Sequence, residues 1–261
     1  MTLEDLNCPK CCKRFGEDVK MILKRISRSV ERIIEHPKVL LGKFKGIPTC
    51  HLFTCLTARD LLNEPIKTVI DIGANEGSFI RAVSFCFQDS KIYAFEPIKR
   101  FYDKIKYIEN VCAFNFGLWD EDGEDVFYEN KKEVGASSFL EPTKQYYKDI
   151  SSKNNIVKTR ATKKRFDKLN LPIKRPCFVK IDVEGAEHKV LRGFGNRLKE
   201  VDVLQIEWFF KGFNKNQMKL SDIIFLLEKY GFVGFIQREV GYVNNSLGAC
   251  DLIFFKQEER K

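Results

Sequence analysis

The segment Lys67-Thr-Val-Ile-Asp-Ile-Gly-Ala-Asn-Glu-Gly77 constrains the fold more than any other part of the chain. Apolar, mostly β-branched residues lead to Asp71. Glycines follow at 73 and 77, and Phe79, Ile80, Val83 and Phe87 then recur at helical spacing. A buried strand, a glycine turn and a helix start, in that order, form a nucleotide-binding βα unit. Lys91-Ile-Tyr-Ala-Phe-Glu96-Pro97 then reads as a second strand ending in an acid. Glu96 lies 19 residues beyond Gly77, near the spacing of about 20 at which a carboxylate accepts from both ribose hydroxyls of a dinucleotide.

The same alternation continues. Strands are expected at 111–119, at 177–182 and at 201–209, with two more at 232–236 and 250–255. Helices are expected at 77–88, 186–199 and 216–230. Residues 120–124 read as a turn, with 125–129 as the return strand of a hairpin, and 156–162 alternates like an edge strand. Strands alternating with helices predict an α/β fold, a doubly wound and mostly parallel Rossmann-like sheet. Residues 64–261 form this domain, and 130–176 is a basic insertion on the substrate side. Residues 1–63 form an N-terminal extension with amphipathic helices at 17–36 and 50–63.

Charge is unevenly placed. Residues 141–176 hold eleven Lys/Arg against three Asp/Glu, and residues 1–50 hold eleven against six. Such a stripe is either a solvated surface or the footprint of an anionic partner. The basic face of 17–36 suits packing on its own domain or on a second copy, or peripheral contact with a membrane. No apolar run approaches the roughly 18 residues of a transmembrane helix, and the acids at Glu4 and Asp5 do not suit a signal peptide. The expected compartment is the cytoplasm, where nine scattered cysteines stay reduced. Cys8, Cys11 and Cys12 lack the second ligand pair of a zinc site.

The carboxyl ends of the strands present Asp71, Glu96, Asn115 or Gly117, Asp182 and Glu207, where ligands bind in such sheets. In the first turn, Asn75 stands where a pyrophosphate site needs its second glycine, and Asp71 brings an acid close to the ligand. Both departures tilt the ligand from NAD to S-adenosylmethionine, whose sulfonium and amino groups are cationic. No P-loop pattern is present.

Asp71-Ile-Gly-Ala-Asn-Glu-Gly77, Phe95-Glu-Pro97, Asn115-Phe-Gly-Leu-Trp-Asp120, Ser137-Ser138 and above all Lys180-Ile-Asp-Val-Glu-Gly-Ala-Glu187 with Ile206-Glu207 resemble the FkbM family of S-adenosylmethionine-dependent methyltransferases. The resemblance covers about 66–209. It departs from the family pattern at Gly117 and at Phe166. It implies a class I methyltransferase sheet with the last strand antiparallel, and methyl transfer to hydroxyls of sugars, polyketides or similar small molecules. On this reading Asp71, Gly73, Asn75 and Gly77 hold the methionine end, Glu96 the ribose, and Asn115 and Gly117 the adenine. Asp182 faces the methyl group. Asp182 is the first candidate base, followed by Glu184, Glu187 and Glu207. His188 reads as an exposed helix residue, and as the only histidine near the site. No metal is assigned, although Asp182, Glu184 and Glu207 are hard donors of the kind Mg²⁺ takes.

The expected function is O-methylation of a glycan or other hydroxyl-bearing acceptor, with the basic stripe meeting an anionic or lipid-linked sugar. An RNA ribose 2′-O-methyltransferase and a catalytically inactive interaction subunit are the alternatives. DNA is not an expected partner, and a homo-oligomer is compatible with the sequence.

Overall fold

The computed structural model describes residues 38–210, 212–243 and 246–256. The expected helix at 17–36 and the cysteines at 8–12 lie outside them. The chain divides into two compact units between Thr49 and Cys50. In the first, helix α1 spans Lys38–Phe44. The second begins one residue into helix α2, Thr49–Asp60.

The second unit is built on a seven-stranded sheet. Its strands are β1 (Thr68–Ile72), β2 (Lys91–Phe95), β3 (Val111–Phe114), β7 (Cys177–Ile181), β8 (Val203–Phe209), β9 (Phe232–Val243) and β10 (Ser246–Lys256), in the spatial order β3-β2-β1-β7-β8-β10-β9. Neighbours from β3 to β8 pair in parallel, and β10 runs antiparallel to both β8 and β9. Strand order reverses at β1, so the crevice beyond the ends of β1 and β7 is the topological switch point. Three strands, β4 (Gly117–Leu118), β5 (Gly123–Asn130) and β6 (Ile156–Lys164), form a smaller sheet in the order β4-β6-β5.

Helices α3 (Ser78–Cys86), α4 (Lys99–Ile105), α5 (Lys144–Asp149), α6 (Glu187–Phe194) and α7 (Leu220–Glu228) complete the unit. Side chains alternate across a strand, and the two faces of the large sheet differ sharply. Ile70, Ile72, Val179, Ile181 and Ile206 enter an apolar core with Phe166, Leu191, Phe194 and Leu227. The opposite face carries Asp71, Lys180 and Gln205, which are register neighbours across β1, β7 and β8. There Phe79 of α3 meets Phe178 edge-on at 5.7 Å.

The sheet between 111 and 164 departs from expectation. Strand 111–119 is two strands. Asn115 donates its side-chain amide to the carbonyls of Glu96 (2.9 Å) and Pro97 (3.1 Å), which turns the chain out of the large sheet after Phe114. The expected hairpin does not form: β5 pairs antiparallel with β6, thirty residues away in sequence. Strand β6 is not an edge but the centre of the small sheet, because β4 and β5 flank it.

Candidate active site

Gly73 sits at φ 81 directly after β1, and its backbone amide donates to the Phe95 carbonyl at 3.0 Å. A Cβ here would lie 1.9 Å from the Asp182 carbonyl oxygen, so the close approach of two strand ends requires glycine. Asn75 is also left-handed, at φ 46. Gly77, at φ 78, precedes α3, and a Cβ there would lie 2.9 Å from Ile105. Glu96 accepts from the amides of Asn75 and Ile98, each at 2.7 Å. The Glu96 carboxylate thereby ties the first turn to the second strand end and still borders the cleft. Burial pushes its pKa up to about 7, and the two backbone donors offset only part of that.

The cleft has a volume of about 190 Å³. Its lining includes the apolar side chains of Ile98, Phe101, Leu118 and Phe127 together with the carboxylates of Glu96, Asp182, Glu184 and Glu207. Gly73, Asn75 and Gly117 also line it. Asn115 does not; it braces the loop after β2. Gly77 shapes the helix entry. Asp71 lies in β1 beneath the cleft, fully buried, and neither of its oxygens has a hydrogen-bond partner in the protein. Glu187 is buried at the start of α6 and accepts from the Gly185 amide at 3.0 Å, with its pKa raised to about 7 by burial.

Lys180 organises the acids. Its Nζ lies 2.7 Å from Asp182 Oδ2 and 4.0 Å from Asp71 Oδ1, under the Phe79 ring. Burial pushes Asp182 up, but the Lys180 charge and hydrogen bonds from Lys180 and Glu207 outweigh it and hold Asp182 below the usual carboxylate range. Glu184 and Glu207 go the other way. Burial, and then the charge of Asp182, raises both well above the usual range. Asp251 of β10, opposite Glu207 in register, is raised to about 6 by burial and by Asp182. Among the described residues one trio of candidate metal ligands occurs: Asp182, Glu184 and Glu207 each offer an oxygen, all within 4.8 Å of one another.

Two expectations about histidine are corrected. His188 is buried, 5% exposed, with its pKa lowered to about 4 by burial and by Arg192 and Lys189. The histidine beside the acid row is His51 of α2, which meets Phe79 edge-on at 5.7 Å. Burial and the Lys180 charge lower its pKa to about 4. His51, Lys180, Gln205 and Asp251 were not assigned roles from the sequence. Lys180, Gln205 and Asp251 each interrupt an apolar strand run, and a charge or amide in such a run requires a partner. His51 carries no such local signal.

Part of the basic stretch is paired within the chain. Lys163 pairs with Glu121 and Asp125, Arg165 with Asp167, and Lys168 with Asp122. Among the described residues no helix is long and apolar enough to cross a membrane.

The sheet order, the lone antiparallel strand and the acid-rimmed glycine turn define a class I methyltransferase. The Methyltransferase FkbM domain matches residues 71–233, and the chain belongs to this family of S-adenosylmethionine-dependent methyltransferases. The residues present fit the cofactor in chemistry: Ile98, Phe101, Leu118 and Phe127 offer apolar surface for a base, and the carboxylates bordering the cleft offer acceptors for hydroxyls and charge for a cation. No curated protein matches the sequence.

Among solved structures, EvdMO1 is similar over 79% of this chain at 8% identity and a TM-score of 0.43, and this chain spans 41% of it. The precorrin-6y C5,15-methyltransferase of Geobacter metallireducens GS-15 is similar over 77% of this chain and 86% of its own, at 12% identity and a TM-score of 0.40. The METTL16 MTase domain is similar over 81% of this chain and 70% of its own, at 11% identity and 0.44.

Cofactor binding is expected to release protons near neutral pH. A cation beside Glu96, Glu184 and Glu207 lowers carboxyl pKa values that burial holds high. Calorimetry at pH 7 in two buffers of different ionisation enthalpy measures the release. Identical heats in both buffers would contradict it. The same groups make the protein without cofactor less stable as pH rises. Glu96 binds a proton more tightly folded than unfolded, so its contribution declines from its usual 4.5 up to about 7.

Proposed function

We propose that the protein transfers a methyl group to a hydroxyl of a neutral, polyhydroxylated acceptor such as a sugar. One observation carries this reading: four carboxylates, Glu96, Asp182, Glu184 and Glu207, border the cleft, and no Lys, Arg or His is among the described residues that do. An anionic acceptor finds no counter-ion there, whereas a neutral polyol finds hydrogen-bond acceptors for its hydroxyls. This argues against acidic glycans and RNA, and the internal pairing of Lys163, Arg165 and Lys168 weakens the case further.

Bound in the cleft, S-adenosylmethionine supplies a methyl group on a positively charged sulfur. Lys180 keeps Asp182 ionised, which suits it to face a cation and makes it the weakest base of the three. The base is therefore Glu184 or Glu207. Burial, and then the charge of Asp182, raises the pKa of each well above the usual range, and a cation nearby lowers it again. The acceptor oxygen gains the methyl group and its proton passes to that carboxylate. Gln at 184 or at 207 is expected to lower kcat by about 10²-fold or more at one of the two positions.

Labelled-methyl transfer to matched acceptors, a neutral hexose and its uronic acid or phosphate, tests the substrate class. The neutral sugar is expected to react about tenfold faster or more, the equivalent of about 1.4 kcal/mol of uncompensated charge. Preference for the anionic member, or for RNA, would sink the proposal.

A further inference from the structure

The turn after Asp182 carries two successive residues with positive φ, Glu184 at 60° and Gly185 at 93°. Glycine adopts this conformation freely; for glutamate it is strained and persists only where the surroundings impose it. Two buried side chains, from segments distant in sequence, hold the turn by its carbonyls. Ser138 Oγ donates to the Val183 carbonyl at 3.0 Å, and Asn214 Nδ2 donates to the Glu184 carbonyl. They are 4% and 5% exposed.

Each arm is itself anchored. The Ser138 amide and carbonyl pair with Tyr128 of β5, at 3.2 and 2.8 Å. Asn214 forms a β-bridge with Pro142; Thr143 donates its amide to the Phe213 carbonyl at 2.9 Å, and Lys215 donates its amide to the Glu141 carbonyl at 3.0 Å. Residues 138–143 thus join the two arms into one clasp. Asn214 does not border the cleft; Glu184, whose carbonyl it holds, does.

We propose that Asn214 is a positioning residue for methyl transfer: it fixes Glu184 in its left-handed conformation, so that the carboxylate meets the acceptor hydroxyl in one geometry. The role rests on the reading of Glu184 as an acceptor-side base. A misplacement of an ångström at a reacting group costs on the order of 10²-fold in rate.

Asn214→Asp is nearly isosteric, and once ionised it has no proton to donate to the Glu184 carbonyl. It is expected to lower kcat on the order of 10²-fold at pH 8, with cofactor Kd from calorimetry within about twofold. The deficit narrows at lower pH, where the new carboxyl regains a donor proton. Asn214→Ala lowers kcat without that pH dependence. Ser138→Ala loses activity, and Ser138→Thr, which keeps the hydroxyl, restores it. Exchange of the Gly185 amide is expected to speed up in both Asn214 variants, a readout that needs no acceptor.

Full turnover in Asn214→Asp beside an inactive Glu184→Gln overturns the positioning role alone. Full turnover in Glu184→Gln overturns the reading of Glu184 itself. Parallel loss of cofactor affinity and of thermal stability in both Asn214 variants and in Ser138→Ala would mean that the clasp is structural only.

Discussion

Alanine at position 73 is expected to abolish measurable cofactor binding and to lower the thermal midpoint. Gly73 stands at φ 81, and a Cβ there would overlap the Asp182 carbonyl oxygen at 1.9 Å and approach its carbon at 3.0 Å. Both neighbours are backbone, so neither can swing aside. The left-handed conformation costs a non-glycine residue about 1–2 kcal/mol, and overpacking a tight contact costs about 1–3 kcal/mol more. Relief by moving β7 is blocked, because the Asp182 amide donates to the Ile72 carbonyl at 3.0 Å. Relief by moving the turn breaks the paired bonds from Gly73 and Ala74 to the Phe95 carbonyl, at 3.0 and 3.1 Å. Either way Asp182 and the first turn separate, and they are the two sides of the proposed cofactor site. Gly135 also lines the cleft, but a Cβ there meets nothing within 4 Å, so Gly135→Ala is the matched control. Calorimetry with S-adenosylmethionine and a thermal melt measure both effects. A Gly73→Ala protein that binds the cofactor as well as the Gly135→Ala protein would remove the close approach as the reason for glycine.

The large sheet was legible because its strands are buried on both faces. Thr68–Ile72, Lys91–Phe95, Cys177–Ile181 and Val203–Phe209 are apolar runs bounded by glycine, proline or acids, and they need no partner to be recognised. Glu96 and Asp182 were legible for the same reason, standing where their runs stop. What sequence could not show was pairing across distance. Strand β6 is exposed along much of its length and reads as an edge, yet both its sides are bonded. Lys163 looks like part of an anionic partner's footprint until β5 is laid beside it and supplies Asp125. His188 sits among Glu187 and Lys189, a solvent-facing context by local pattern. It is nonetheless only 5% exposed, in a helix that packs so closely onto the chain after β4 that a Cβ on Gly193 would lie 2.0 Å from the Trp119 carbonyl oxygen. The role of Asp182 also changed on this account. Its place at the strand end was readable, but its lowered pKa depends on Lys180 reaching it from two residues back.

The largest stability loss is expected from Lys180→Met at alkaline pH. Lys180 is 4% exposed and Asp71 fully buried, with no hydrogen-bond partner for either Asp71 oxygen. The ammonium 4.0 Å away is the charge that opposes burial of that carboxylate. Methionine fills similar volume and removes the charge. Breaking a buried pair by deleting one member typically costs about 3–5 kcal/mol, because the survivor is left uncompensated. Asp71 has an escape, which sets the pH dependence. Burial already raises its pKa to about 6, with Lys180 holding it down; without Lys180 it rises further. Below that value the folded protein carries Asp71 neutral and the Asp71 part of the loss is small; above it the protein must either bury a bare charge or hold a proton against the solution. The loss therefore grows between pH 5 and pH 8. Asp71→Asn in the Lys180→Met background removes the stranded charge and is expected to recover much of the stability, with a coupling of about 1–3 kcal/mol. Denaturant unfolding of the four proteins at both pH values gives the cycle. If Lys180→Met is as stable as its parent at pH 8, or if Asp71→Asn adds a cost of its own instead of recovering one, then the row of acids is not held by Lys180. In that case the ionised state of Asp182, on which the assignment of the base to Glu184 or Glu207 depends, needs another source.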